Sequence, residues 1–248
     1  MDSNHVDFIT FCCKADGHRL HALGQLKKQV ESNGYNFDHI CVVHQLCHPA
    51  DFENPYFADC PFEVTAWIID DLDKILSYYR IDINKPQYVS NIDKVHTWKN
   101  HVVNHLAATM LSSADYIVFA DADCWMIRQP LGESWVQRGL EILQSQPDVF
   151  IVSPNDGEPE RKTQVISQQM FMTRIDDFRQ ADFNQPGWDG DVRKMSELPE
   201  YAAMLEGRMH FYCKAVGKCR YVLSSEYRYW HHNRLTQGGN FETDLSKY

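Results

Sequence analysis

Residues 115–123 read Asp-Tyr-Ile-Val-Phe-Ala-Asp-Ala-Asp, the strongest strand pattern in the chain. The apolar run predicts a β-strand over Asp115–Ala120 that is buried on both faces, as the strands of parallel sheets are. Asp121 and Asp123 follow directly, at the carboxyl end of the strand, where open parallel sheets bind their ligands. The stretch therefore predicts a mostly parallel α/β sheet with a polar site at its edge.

Asp121 and Asp123 are candidate ligands for a divalent cation. Two carboxylates spaced i, i+2 where the chain turns can face one ion. Mn²⁺ and Mg²⁺ prefer such oxygen ligands and share their remaining positions with phosphate oxygens. A solvated surface turn would carry the same two acids, so the surrounding sequence has to separate the two interpretations.

The residues before this stretch alternate between strand and helix patterns. Val6–Cys13 and His39–Val43 are predicted strands, and apolar residues recur at helical spacing from Leu20 to Val30 between them. A right-handed crossover between two parallel strands explains this order. A third strand over Phe62–Ile69 and a helix over Lys94–Met110 lead into the central strand.

The second half of the chain continues the same alternation. Its predicted elements are a helix over Ser134–Gln144, a strand over Val149–Val152, a polar loop over Ser153–Lys162, a strand over Ser167–Thr173, a helix over Leu198–Val216 and a strand over Cys219–Leu223. The polar and aromatic tail from Glu226 onward is predicted to fold back over the site.

Composition narrows the function classes. The chain has 248 residues, enough to bury a full core, and its apolar runs fall short of the roughly 20 residues that a membrane span needs. Its first residues do not have the pattern of a secretory signal, so we expect a cytoplasmic protein with reduced cysteines. The net charge of −10 disfavours non-specific binding of nucleic acid.

Four blocks of the sequence stand in a recognisable order. They are the strand-helix-strand Val6–Val43; Trp98-Lys99-Asn100-His101 ahead of Ala114–Asp123; Ser167–Phe178; and Leu205-Glu206-Gly207-Arg208 followed by Gly217 and Trp230-His231-His232. In this order they resemble the GT-A-fold glycosyltransferases of the family 2 type. The resemblance covers most of the chain and implies one GT-A-type domain over residues 1–248, with a nucleotide-sugar-binding half at 1–125 and an acceptor-binding half and C-terminal tail at 126–248.

The resemblance implies a nucleotide-diphosphate sugar donor and a Mn²⁺ or Mg²⁺ ion that neutralises the leaving diphosphate. Asp123 would hold the ion directly and Asp121 through water. His231 or His232 would supply a third contact with the metal or the diphosphate. Neighbouring side chains of a strand point to opposite faces, so at most one of these two histidines is expected to be a ligand.

The resemblance also assigns a general base and contacts with the donor. Glu206 stands where the family has the base that takes the proton of the acceptor hydroxyl in an inverting transfer. Asp189 and Asp191, in a glycine-rich loop with Trp188, are rival bases, and Trp188 is suited to touch a sugar. Further candidate donor contacts, with Asp121, Ala122 and Asp123, are Phe11, Cys12, His44, Lys99 and Asn100.

One departure from the family bears on the donor. Where the family has Asp-Asp-Gly-Ser after its second strand, this chain has Val43-His44-Gln45-Leu46. A UDP-sugar is the first expectation for the donor, but the base is left open. The acceptor is open as well, between a glycan, a protein, a lipid-linked sugar and a modified nucleobase.

Two other functions fit the same paired acids. A nucleotidyltransferase would use them on a nucleotide phosphate, but it normally has a glycine-rich basic loop after the first strand. Residues 13–19, Cys-Lys-Ala-Asp-Gly-His-Arg, contain a single glycine. A non-catalytic sugar- or nucleotide-binding protein would keep the two acids as a relic. The candidate base and the histidine pair argue against this interpretation.

Overall fold

The structure is a computed structural model that describes residues 4–12, 24–45, 48, 60–69, 71–80, 103–155, 159–167, 169–183 and 205–231. Its strands are β1 Val6–Cys12, β2 His39–Gln45, β3 Thr65–Ile69, β4 Tyr116–Ala120, β5 Cys124–Arg128, β6 Val149–Ser153, β7 Arg161–Thr163, β8 Met170–Arg174, β9 Cys219–Val222 and β10 Arg228–His231. Its helices are α1 Gln25–Ser32, α2 Leu72–Tyr78, α3 at residues 103–111, α4 Trp135–Ser145, α5 Ile175–Gln180 and α6 Leu205–Val216.

Eight of these strands form one mixed, mostly parallel sheet in the order β3-β2-β1-β4-β8-β6-β9-β7. β1 to β4 are parallel, and β8 is antiparallel to both β4 and β6. The predicted α/β sheet is therefore confirmed. The other two strands, β5 and β10, form an antiparallel ribbon that begins directly after the acidic motif.

Helices cover both faces of the sheet because its central strands are apolar on both sides. In β4, Ile117 and Phe119 pack into one hydrophobic cluster, while Val118 and Ala120 pack into the other. Helices α2, α3, α5 and α6 contribute to the first cluster, and α1 and α4 to the second. All five residues of β4 are buried, so the strand that carries the motif is the centre of the fold.

Several predicted boundaries differ from those of the structure. β3 begins at Thr65 rather than at Phe62, and the strand predicted from Ser167 begins at Met170. The predicted polar loop over Ser153–Lys162 contains the start of β7, whose three residues are too few and too polar to show a period. The strands of the β5–β10 ribbon and the short helix α2 were not predicted.

The described residues contain no helix that is both long and apolar enough to cross a membrane.

Candidate active site

The acidic motif forms a tight turn between β4 and β5. The amide of Cys124 donates to the carbonyl of Asp121 at 2.9 Å, and the amide of Asp121 donates to the carbonyl of Gln169 at 2.8 Å. The ligand atoms of Asp121, Asp123 and Cys124 all lie within 4.8 Å of one another. The turn thus places two carboxylates and one thiol around a common point at the carboxyl end of β4.

The two carboxylates, and not the thiol, suit a hard cation. Asp121 and Asp123 are partly exposed, whereas Cys124 is fully buried. Burial, together with the nearby charges of Asp121 and Asp123, raises the pKa of the Cys124 thiol well above its usual range, so the thiol stays protonated at neutral pH. Oxygen ligands on a partly open turn fit Mn²⁺ or Mg²⁺, which complete their coordination with water or phosphate.

The side chain of Gln29 holds the turn from below. Its Nε2 donates to the carbonyl of Asp121 at 2.6 Å and to the carbonyl of Cys124 at 2.9 Å. Gln29 lies in α1 and is fully buried. The side-chain amide of Gln29, more than ninety residues earlier in the chain, therefore joins the two ends of the turn, Asp121 and Cys124.

The predicted donor contacts near β1 and β2 lie at the same edge of the sheet. Cys12 pairs with His44, and Thr10 pairs with Ala120 just before the motif. The side chains of Cys12 and His44 are fully buried. The ring of Phe11 packs 4.4 Å from that of His105 within the core. The side chains of Phe11, Cys12 and His44 are therefore buried at this edge of the sheet. Their contact with a donor stays a prediction.

The ribbon agrees with the tail prediction as far as His231, and residues 232–248 lie outside the described residues. The β5–β10 register sets His231 opposite Cys124, next to the motif, and Trp230 opposite Trp125. The two indole rings stack at 6.1 Å with an interplanar angle of 26°. The hydroxyl of Tyr229 donates to Oε1 of Gln169 at 2.9 Å, and the same Gln169 accepts the amide of Asp121. The C-terminal strand is thereby tied to the acidic turn.

The structure describes only some of the remaining predicted site residues. Glu206 lies in the first turn of α6 and is partly exposed. Ala122 lies within the turn and is partly exposed as well. Outside the described residues lie Lys99, Asn100, Trp188, Asp189, Asp191 and His232.

Three residues at the site escaped the sequence analysis: Gln29, Gln169 and Tyr229. Gln29 follows two lysines in a helix pattern, where a glutamine normally indicates the solvated face. Its partners lie 92 and 95 residues further along the chain. No local pattern could have signalled these contacts, because each depends on long-range pairing of strands and helices.

The fold has counterparts among solved structures. Mouse xyloside xylosyltransferase 1, in its apo form, superposes with a TM-score of 0.52 at 9% identity, over 89% of this chain and 84% of that one. Residues 1–349 of S. aureus TarS give 0.46 at 11% identity, over 91% of this chain and 59% of that one. The galactosyltransferase LgtC with donor and acceptor sugar analogues gives 0.41 at 9% identity, over 70% and 59%.

By sequence, no protein-family model and no curated protein matches the chain. The superposition on the mouse xylosyltransferase agrees with the mixed sheet and with helices on both its faces. The chain therefore has the GT-A fold.

Proposed function

We propose that this protein is a metal-dependent, inverting glycosyltransferase that moves a sugar from a nucleotide-diphosphate donor to an acceptor hydroxyl. One observation carries the proposal: a turn at the carboxyl end of the central strand gathers the carboxylates of Asp121 and Asp123 within 4.8 Å. On a GT-A sheet this edge is where a ligand binds.

Asp121 and Asp123 would hold the Mn²⁺ or Mg²⁺ ion, with His231 or His232 as a further contact. The bound ion supplies Lewis-acid stabilisation of the negative charge on the leaving diphosphate. The pairing of His231 with Cys124 in the ribbon register supports a contact from the C-terminal strand. Lys99 adds a positive charge for the donor phosphates.

Glu206 is the proposed general base. It would accept the proton of the acceptor hydroxyl as that oxygen attacks the anomeric carbon, so that the carbon inverts and the diphosphate leaves. The partial exposure of Glu206 in the first turn of α6 is compatible with access to an acceptor. Asp191 and Asp189 are the alternative bases.

The experiment that tests the proposal is incubation with a panel of nucleotide sugars and Mn²⁺, followed by detection of released nucleoside diphosphate. Release from one donor, abolished by a chelator, is the expected result. Formation of pyrophosphate from a sugar phosphate and a nucleoside triphosphate would instead make the protein a nucleotidyltransferase. Donor binding without turnover, unaltered by Asp123→Ala, would make it a non-catalytic binding protein.

A further inference from the structure

Helix α1 is one of the elements that support the acidic turn. Helix α1 is fixed to the elements around the turn by three polar contacts near its C-terminal end. The backbone amide of Met126 donates to Oγ of Ser32 at 3.1 Å, and the side-chain Nε2 of Gln129 donates to the carbonyl of Ser32 at 3.0 Å. The indole of Trp135 donates to Oδ1 of Asn33 at 2.5 Å. A side chain that projects from α1 into the turn is therefore anchored at its base.

Gln29 is that side chain, and its own backbone is fixed too. Its carbonyl accepts from Nδ2 of Asn33 at 2.6 Å and from Oγ of Ser32 at 3.0 Å. The two hydrogen bonds from Nε2 to Asp121 and Cys124 settle how the amide is turned, because the opposite orientation would set Oε1 against two carbonyl oxygens.

In this orientation the amide oxygen of Gln29, Oε1, points away from the turn. Within the described part of the chain, Oε1 of Gln29 is buried and accepts no hydrogen bond. An unpaired buried acceptor costs free energy, and such costs persist where the arrangement serves a function. The hydrogen bonds of Gln29 with Asp121 and Cys124 indicate that this function is to hold the turn.

We propose that Gln29 is a positioning residue for the metal site: its amide fixes the separation of the Asp121 and Cys124 carbonyls and so holds both carboxylates in a cation-binding arrangement. This inference rests on the proposed function, because it presumes that Asp121 and Asp123 bind a divalent ion. Outer contacts of this kind orient metal ligands, and their loss typically weakens metal affinity by roughly 10–100-fold.

Gln25 provides a matched control on the same helix. It lies one turn before Gln29 and is likewise a buried glutamine. Neither its Nε2 nor its Oε1 has a hydrogen-bond partner within the described residues. Replacing either glutamine with methionine keeps an unbranched side chain of similar length and removes the amide, so the two variants differ in whether the turn loses its support.

The experiment measures the Mn²⁺ dissociation constant of the full chain by titration calorimetry, beside the thermal midpoint of each metal-free variant. Gln29→Met is expected to stay folded and to weaken Mn²⁺ binding by about 10-fold or more. Its thermal midpoint is expected to lie below that of Gln25→Met, because the carbonyls of Asp121 and Cys124 lose a donor. Gln25→Met is expected to bind as the wild type does. Gln29→Ala leaves room for a water molecule to donate to the same carbonyls, so its affinity is expected to lie between the two.

Separate results would overturn the two proposals. Wild-type protein that binds Mn²⁺ no better than Asp123→Ala would overturn the metal site, and the role of Gln29 with it. Asp123-dependent binding that is unchanged in Gln29→Met and Gln29→Ala would overturn only the role of Gln29. If Gln29→Met does not fold, Gln29→Ala decides; failure of both to fold would assign Gln29 to folding and also overturn its proposed role.

Discussion

Asp121, Asp123 and Cys124 stand within 4.8 Å of one another but differ in chemistry. The carboxylates are partly open to solvent, and the thiol is sealed inside the second hydrophobic cluster. A hard ion is bound best by the open oxygens, while the thiol packs as a small apolar group. At the scale of single residues, burial therefore separates the two proposed metal ligands from the neighbouring thiol.

The general base can be tested by replacement that keeps its shape. Glu206→Gln removes the proton acceptor but leaves the side chain nearly isosteric, so donor binding should be unchanged while transfer falls by about 10²–10⁴-fold. Steady-state kinetics together with donor-binding titration measure the two effects separately. If Asp191→Asn shows this pattern and Glu206→Gln does not, the base is Asp191.

Single residues also show how far the sequence could lead. The Asp121–Asp123 motif was readable because its spacing and the apolar run before it are local features. Gln29 was not readable, since its role arises only when α1 packs beneath a turn 92 residues later in the chain. A supporting residue has no signature of its own when its partners are backbone carbonyls.

Among the elements, predictability follows the local apolar pattern. β4 and β6 were predicted because strands covered on both faces read as nearly continuous apolar runs. β5 and β10 escaped because they lie outside the main sheet and mix polar, aromatic and apolar residues. Their pairing joins segments about a hundred residues apart, and only that pairing brings the predicted histidine position to the acidic turn.

The C-terminal end of α3 is stabilised by a contact with Arg179 that can be tested by mutation. The guanidinium of Arg179 donates to the carbonyls of Thr109 and Ser112 at 2.8 and 2.7 Å, which satisfies acceptors at the C-terminal end of α3. Arg179→Met is expected to lower the free energy of unfolding by about 1.5–3 kcal/mol, the value of charged hydrogen bonds. Urea unfolding monitored by circular dichroism measures the loss.

Arg138→Met is the control for that loss. Arg138 pairs with Glu141 at 2.8 Å on the surface of α4, where both side chains are well exposed. Exposed pairs of this kind contribute about 0.5 kcal/mol or less. Equal losses in the two variants would refute the account of the α3 end.

At the scale of the whole molecule, the mixed sheet with helices on both faces sets which groups are buried in neutral form. Burial raises the pKa of Tyr79 to about 12, and it raises the pKa values of Cys41 and Cys213 to about 12 as well. In the unfolded chain a tyrosine loses its proton near pH 10 and a cysteine near pH 9. From these pH values up to about 12, the unfolded state binds fewer protons than the folded state, so the free energy of unfolding falls as pH rises.

Tyr79→Phe should flatten this alkaline loss. The contribution of Tyr79 is complete below pH 10 and disappears between pH 10 and about 12, at about 1.4 kcal/mol per pH unit. The variant loses the hydrogen bond with Thr109 and is less stable at pH 8, but its stability should decline less steeply above pH 10. Urea unfolding at a series of pH values measures the slope. A Tyr79→Phe slope identical to the wild-type slope would contradict the prediction.

The central claim is that the acidic turn at the end of β4 is a catalytic metal site. Its most direct test is nucleoside diphosphate release from the preferred donor, with and without Mn²⁺, by wild type, Asp123→Ala and Asp115→Ala. Asp115 is an exposed carboxylate at the opposite end of β4 and serves as the control. Lewis-acid stabilisation is worth several kcal/mol, so Asp123→Ala should lose about 10²-fold or more of the Mn²⁺-dependent rate while it stays folded and Asp115→Ala remains active. Full Mn²⁺-dependent release by folded Asp123→Ala would contradict the account.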